Sequence, residues 1–200
     1  MAPHTIDAYL VRHGETELNA ADRVQGWADS PLTVSGLMQV HDARRALATI
    51  DIDAFYVSTA GRARATAEIL MRGRVDTPVH FDARLREFGF GSFEAGPNAA
   101  LAPFGDFDAA IEAISGGGHT GFTGGETGRE FVTRLDEVFA EILGSRRHPA
   151  IAVVGHGVAF TCYLRRHTTF DGHSLPNGSI THLRVGECGV EFKGTQAAET

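Results

Sequence analysis

Short apolar runs alternate along this chain with longer segments in which apolar residues recur every three or four positions. The short runs predict buried strands, and the longer spacing predicts helices that turn one face toward a core. Strands are predicted at 8–11, 54–58, 78–81 and 150–154, and two more flank a turn at 186–189. Helices are predicted at 37–50 behind a candidate N-cap at Ser35, 62–71, 107–114, 127–143 behind a capping box from Thr127 to Glu130, and 158–166. This alternation predicts a three-layer α/β/α fold with a largely parallel central sheet.

One stretch of the chain differs from the rest in composition. Between Glu87 and Gly128 there is no Lys or Arg, while six of the 13 phenylalanines and many glycines lie there. Two interpretations are open for residues 88–125. They form a cap-like insertion over a binding site, with glycines as joints, or a satellite hydrophobic cluster beneath a long loop.

Length and charge narrow the classes of function. The 200 residues predict one domain over 1–194, with a flexible tail at 195–200. Asp and Glu number 25 against 18 Lys and Arg, and the net charge of −7 disfavours nucleic acid or an anionic membrane as a partner. The two cysteines form no disulfide framework, and neither a signal peptide nor a membrane span is evident. We therefore expect a cytoplasmic protein, in which any site for an anion is a local basic pocket.

Two predicted strands end in the same way. The first runs into Arg12, His13 and Gly14, and the strand at 150–154 runs into His156 and Gly157. The carboxyl ends of parallel strands meet at one edge of a sheet, where ligands bind in open α/β folds. If the two strands are neighbours, His13 and His156 lie side by side there.

A third cationic residue belongs near the same edge. Arg62 follows the strand at 54–58 and begins the next predicted helix, where the helix dipole disfavours a positive charge. A structural arginine is poorly placed there, whereas an anion site at a helix N-terminus is well placed. Arg64 is interpreted as part of a solvated helix face.

Several motifs, in order along nearly the whole chain, resemble the histidine phosphatase superfamily in its phosphoglycerate-mutase-like branch. The first is the run Tyr9-Leu10-Val11-Arg12-His13-Gly14-Glu15-Thr16-Glu17-Leu18-Asn19. It is followed by Arg23-Val24-Gln25-Gly26, Asp29-Ser30-Pro31-Leu32-Thr33, Ser58 with Arg62-Ala63, Leu85-Arg86-Glu87, Gly124-Gly125-Glu126-Thr127, His156-Gly157 and Pro176-Asn177-Gly178-Ser179-Ile180.

The resemblance implies a phosphoglycerate-mutase-like fold and a role for each matching residue. His13 would be the nucleophile that becomes phosphorylated, and Glu87 the general acid and base. The other catalytic positions would be Arg12, Arg62 and His156, and substrate would be bound by Asn19, Gln25, Gly26 and Gly157. No cofactor is implied. No metal is predicted either, because the other histidines lack a metal-ligand spacing. Without the resemblance, Glu87 would be interpreted as a surface carboxylate paired with Arg84 or Arg86.

The sequence favours a phosphatase over a mutase within this family. Mutases supply extra basic residues after the acid/base glutamate, whereas residues 88–125 contain none. We therefore expect hydrolysis of a small phosphomonoester with an apolar or bulky alcohol part. The alternatives are a cofactor-dependent phosphoglycerate mutase and a catalytically silent phosphate-binding domain.

Some features leave questions open. Trp27, after Gly26, resembles the mutases and belongs either to the core or to the pocket wall. Two departures from the family pattern are the longer spacing at Glu94-Ala95-Gly96 and Thr59 in place of a proline. The last hairpin is a candidate edge for pairing in an oligomer.

Overall fold

The computed structural model describes residues 5–172 and 174–198. Six strands form one sheet: β1 (Ile6–Arg12), β2 (Ala54–Ser58), β3 (Val79–Asp82), β4 (Ala150–Gly155), β5 (Ile180–Gly186) and β6 (Gly189–Gln196). Their order in the sheet is β3-β2-β4-β1-β5-β6. The first four strands run parallel, and β5 and β6 add an antiparallel hairpin at one side. The predicted α/β fold with a largely parallel sheet is confirmed.

Helices cover both faces of the sheet. They are α1 (Glu17–Ala20), α2 (Val34–Ala46), α3 (Gly61–Leu70), α4 (Phe107–Ser115), α5 (Gly128–Gly144) and α6 (Gly157–His167), with 3₁₀ turns at Ala83–Leu85, Gly91–Phe93 and Asn98–Phe104. The core on one face contains buried residues of α2 and α3, and the core on the other contains buried residues of α4, α5 and α6.

Strand β4 shows why its apolar run is continuous. Ile151 and Val153 pack into the core that contains α4, α5 and α6, while Ala152 and Val154 pack into the opposite core. Because successive side chains of a strand point to opposite faces, a strand covered on both sides needs apolar residues at every position.

Some predicted boundaries are wrong. Helix α2 begins at Val34, and its N-cap is Thr33, whose hydroxyl accepts the Gly36 N–H at 2.9 Å, so Ser35 lies inside the first turn. The predicted tail overlaps β6, because Thr195 and Gln196 pair with β5. Residues 1–4, 173 and 199–200 of the predicted domain and tail lie outside the described residues. The capping box at the start of α5 is confirmed.

The segment at 88–125 contains α4 and two of the 3₁₀ turns, and its aromatic side chains contact one another. Phe122 lies near Phe90, Phe93 and Phe104, with ring centroids 6.2, 4.9 and 5.2 Å apart. Within the described residues, no helix is both long and apolar enough to cross a membrane.

Candidate active site

The two histidines that follow β1 and β4 lie side by side, as their positions in the sequence predicted. The strands are neighbours with Arg12 opposite Gly155, and the His13 N–H donates to the Gly155 carbonyl at 3.0 Å. The rings of His13 and His156 have centroids 5.3 Å apart and an angle of 62° between their planes. The sheet topology therefore brings two imidazoles together at the carboxyl edge.

Hydrogen bonds define the protonation of the His13 ring. Its Nδ1 lies 2.8 Å from the Gly14 carbonyl, and its Nε2 lies 3.1 Å from the Nε–H of Arg62. A carbonyl only accepts and a guanidinium only donates, so the proton sits on Nδ1 and Nε2 carries the lone pair. Burial, followed by the charges of Arg62 and Arg12, holds the pKa of His13 well below its usual value. The ring is therefore neutral at physiological pH.

The guanidinium of Arg62, at the beginning of α3, donates hydrogen bonds to three residues besides His13. Its Nη2 donates to the Gly26 carbonyl at 2.8 Å, and its Nη1 donates to the Ala28 carbonyl at 3.0 Å and to Asp29 at 3.2 Å. Asp29 also accepts the backbone N–H groups of Gly61 and Arg62, which the N-cap Ala60 leaves without a side-chain partner. The aspartate thus compensates for a positive charge at a helix N-terminus.

The half-buried Arg12 lies against the first residue of α6. Its Nη1 donates to the Leu175 carbonyl, and its Nε has no hydrogen-bond partner among the described residues. A Cβ atom on Gly157 would lie 3.0 Å from the Arg12 Cζ. Glycine at position 157 therefore gives the guanidinium room beside the helix terminus.

His156 has one bonded and one free nitrogen. Its Nε2 lies 2.7 Å from Ser58 Oγ, and its buried Nδ1 has no partner within the described part of the chain. Ser58 Oγ also accepts the Ala60 N–H at 3.4 Å, and when the hydroxyl donates its own proton to Nε2 the ring proton lies on Nδ1. Burial, Arg62 and His13 hold the pKa of His156 well below its usual value. In that tautomer Nδ1–H is a donor for an anion.

Glu87 caps the N-terminus of α6. Its Oε1 accepts the N–H groups of Phe88 and Ala159 at 3.0 and 2.9 Å, and its Oε2 accepts that of Val158 at 2.9 Å. Burial raises its pKa, while these bonds and then the charges of Arg62 and Arg12 act in the opposite direction.

The surface alternative for Glu87 is wrong. The side chain is only 5% exposed. Arg84 instead pairs with Asp82 and Glu141, and the Cζ atom of Arg86 lies 5.0 Å from the centroid of the Trp27 ring.

A cavity of about 460 Å³ opens above these groups. Arg12, Asn19, Gln25, Glu87 and Gly157 form its polar end, beneath which His13, Arg62 and His156 are nearly fully buried. Much of the remaining wall comes from the segment at 88–125 and is apolar. Its lining includes Phe90, Leu101, Phe104, Phe107, Ile111, Ile114 and Phe122.

Of the expected substrate-binding residues, some line the cavity and others hold the residues that do. Asn19 lines the cavity, and its oxygen accepts from Asn177 Nδ2 at 3.2 Å, which leaves its amide nitrogen to donate. Gln25 also lines the cavity but is bonded to Thr16 and Ser30. Gly26 lies behind it, where its carbonyl holds Arg62.

Trp27 belongs neither to the core nor to the pocket wall. It is 44% exposed, and its Nε1–H donates to the Glu87 carbonyl at 3.0 Å. Both interpretations considered for this residue are therefore wrong.

Three supporting residues were not predicted from the sequence. Arg134 on α5 donates to the carbonyls of Arg84, Arg86 and Glu87 at 2.7, 2.7 and 2.9 Å, and it pairs with the buried Glu126. Glu94 accepts four backbone N–H groups. They belong to Gly26, Trp27, Ala28 and Phe90. The only sequence signals for these residues are the carboxylates in the matched Glu126-Thr127 and in the displaced Glu94-Ala95-Gly96.

Comparison with known proteins shows which proteins this chain is similar to in sequence and in fold. Probable phosphoglycerate mutase GpmB of Citrobacter koseri is 32% identical over 185 residues, which cover 92% of this chain and 83% of the relative. The solved phosphoglycerate mutase of Bacillus anthracis has a TM-score of 0.80 at 24% identity, and the match covers 96% of this chain and 93% of that one.

Phosphatases share the same fold. The α-ribazole phosphatase of Shigella flexneri has a TM-score of 0.79 at 22% identity, covering 98% of this chain and 96% of that one. A mycobacterial glucosyl-3-phosphoglycerate phosphatase has a TM-score of 0.75 at 22% identity, covering 96% and 98%. The family model of branch 1 matches residues 8–197. The chain therefore belongs to the histidine phosphatase superfamily, branch 1.

Proposed function

We propose that this protein hydrolyses phosphomonoesters through a covalent phosphohistidine formed at His13. The observation that carries the proposal is the neutral His13 ring, whose unprotonated Nε2 lies 3.1 Å from Arg62 Nε. A bound phosphoryl group would take over that N–H as Nε2 attacks phosphorus. The charges of Arg12 and Arg62 would then neutralise the phosphoryl oxygens, and Asn19 and His156 would donate hydrogen bonds to them, which is electrostatic preorganisation.

Glu87 completes both half-reactions. In the first, a bond forms between His13 Nε2 and phosphorus, the bond to the alcohol oxygen breaks, and the protonated Glu87 gives its proton to that oxygen. In the second, the Glu87 carboxylate takes a proton from water, the water oxygen bonds to phosphorus, and the bond to Nε2 breaks. Oε2 accepts a single backbone N–H and so keeps capacity for the proton.

The cavity supports an apolar or bulky alcohol part in the substrate. Its wall beyond Glu87 is mostly aromatic and aliphatic, and the segment at 88–125 contributes no Lys or Arg to it. Two proteins of the same fold are phosphatases by name, and one of them has been solved in complex with VO3.

A phosphoglycerate mutase is the second candidate function. The similarity to probable phosphoglycerate mutase GpmB favours it. A mutase must hold a carboxylate and a phosphate together, and among the described residues that line the cavity only Arg12 and Arg23 are Arg or Lys. Incubation with 3-phosphoglycerate separates the two activities, because a phosphatase releases inorganic phosphate and a mutase forms 2-phosphoglycerate.

The direct test is hydrolysis of p-nitrophenyl phosphate between pH 5 and 8 by the wild type, His13→Ala and the matched control His41→Ala. We expect turnover in the wild type and the control, none in His13→Ala, and no effect of a chelator. An acid-labile, alkali-stable phosphoenzyme should form only where His13 is present. Wild-type turnover that survives in His13→Ala would refute the mechanism, and binding of phosphate without turnover of any ester would indicate a silent binding domain.

A further inference from the structure

A buried hydroxyl without a partner lies in the wall of the cavity. Thr161 is 1% exposed, lines the cavity, and its Oγ1 has no hydrogen-bond partner within the described part of the chain. In a helix, a threonine hydroxyl ordinarily bonds to the carbonyl one turn earlier. A buried polar group left unpaired costs free energy, so it marks a place where a ligand group is expected.

Thr161 lies on the same face of α6 as Gly157 and Val158, the residues at the helix N-terminus that Glu87 caps. Gly157 and Val158 also line the cavity, and residues three and four apart share one helix face. Four residues of helix place Thr161 about 6 Å along the axis from Gly157. That is close to the distance between para substituents on a six-membered ring.

His119 supplies a second polar group to this wall. Its Nδ1 accepts the Gly121 N–H at 3.0 Å, and burial lowers its pKa, so the ring is neutral with its proton on Nε2. The side chain packs against Phe88 and Phe122, with ring centroids 5.4 and 4.9 Å away. The Nε2–H is therefore a donor within a largely apolar environment.

The cavity has further polar side chains. Arg12, Asn19, Gln25 and Glu87 belong to the phosphate end, whereas Arg23, Asn98, Asp106 and Ser174 are exposed. Around Thr161 the lining includes Ile111 and Ile114 of α4, a helix that packs on α6. The buried hydroxyl of Thr161 and the half-buried ring of His119 thus line the same largely apolar cavity.

We infer that Thr161 and His119 form a distal subsite for a hydroxyl or carbonyl oxygen on the alcohol part of the substrate. The substrate class is then a phosphomonoester of an apolar ring with one such oxygen opposite the ester bond. The inference rests on the proposed function, because it takes the phosphate to bind at Arg12 and His13. It adds the reason why this protein would select among apolar esters.

The test measures binding without turnover. Calorimetry compares benzylphosphonate with 4-hydroxybenzylphosphonate on the wild type, Thr161→Val and Thr161→Ser. We expect the wild type to bind the hydroxylated compound about threefold to tenfold more tightly, as for one net hydrogen bond. Thr161→Val should abolish this preference while keeping the affinity for benzylphosphonate, and Thr161→Ser should retain it in part.

The outcomes separate the subsite from the proposed function. Equal binding of the two phosphonates by the wild type, or a preference that persists in Thr161→Val, overturns the subsite and leaves the phosphatase proposal intact. Failure of both compounds to bind the wild type overturns the phosphate site and the subsite with it. Thermal unfolding controls for folding. Thr161→Val should melt no lower than the wild type, because it removes a buried hydroxyl that has no partner among the described residues.

Discussion

Replacing Glu94 by glutamine should weaken both the fold and the active site. The carboxylate accepts the N–H groups of Gly26, Trp27, Ala28 and Phe90 at 3.2, 2.9, 2.6 and 2.8 Å. It thereby joins the loop at 26–28 to the start of the segment at 88–125. The carbonyls of that loop hold Arg62, so Glu94 is a positioning residue for a group that acts on His13.

The size of the effect follows from counting the bonds on each oxygen. Trp27 and Phe90 donate to Oε1, while Gly26 and Ala28 donate to Oε2. A glutamine has one oxygen, so two backbone N–H groups would face an NH₂ group in either orientation. A hydrogen bond to a charged acceptor is worth about 1.5–3 kcal/mol, and partial exposure reduces this value. For the two bonds lost, we expect the free energy of unfolding to fall by about 2–4 kcal/mol.

The assay pairs urea unfolding with turnover of p-nitrophenyl phosphate. Glu191→Gln is the matched control, because that exposed carboxylate bonds to Lys193 far from the site. Glu94→Gln should unfold at lower urea and lose turnover under conditions where it remains folded, and the control should do neither. An unchanged urea midpoint for Glu94→Gln would refute the stabilising role given to its four hydrogen bonds. Lost stability with full turnover would refute the claim that Glu94 positions Arg62.

Three further predictions concern the chemistry. Gly157→Ala should lower kcat/KM on the order of tenfold with no loss in Tm, because the new Cβ would displace Arg12 by a few tenths of an ångström. The wild-type kcat/KM should fall as pH rises through the raised pKa of Glu87, because the carboxyl must be protonated to act as the acid. Glu87→Gln should remove this fall from the pH profile and lower the rate by about 10²–10⁴. Ser58→Ala should lower kcat by about 10–100-fold, while Ser58→Thr should retain most of it. Histidine ¹⁵N shifts should show the His156 proton leaving Nδ1 only in the alanine variant.

The residues at the strand ends could be predicted because strand ends have a local signature. An apolar run followed by a histidine and a glycine occurs twice, and neighbouring parallel strands then bring His13 and His156 together. The wrong N-cap of α2 has an equally local cause. Thr33 and Ser35 can both cap a helix, and composition alone does not separate positions two residues apart.

The supporting residues escaped prediction because their partners are backbone groups far along the chain. Arg134 bonds to a carbonyl 47 residues away at Glu87, and Glu94 to an N–H 68 residues away at Gly26. Every residue but proline carries a backbone N–H, so such a partner leaves no mark in the sequence. The unpaired hydroxyl of Thr161 likewise becomes informative only when its surroundings are known.

Hydrogen bonds join the two ends of the segment at 88–125. Gly89 and Glu126 exchange two hydrogen bonds, from the Gly89 N–H to Glu126 Oε1 at 2.8 Å and from the Glu126 N–H to the Gly89 carbonyl at 3.1 Å. Arg134 fixes the same junction from α5. Because the junction is anchored to the scaffold, we expect the segment to be exchangeable between relatives. Grafting a relative's segment between these two residues, with Glu94 and its bonds kept, should exchange substrate preference while Glu87 keeps its position.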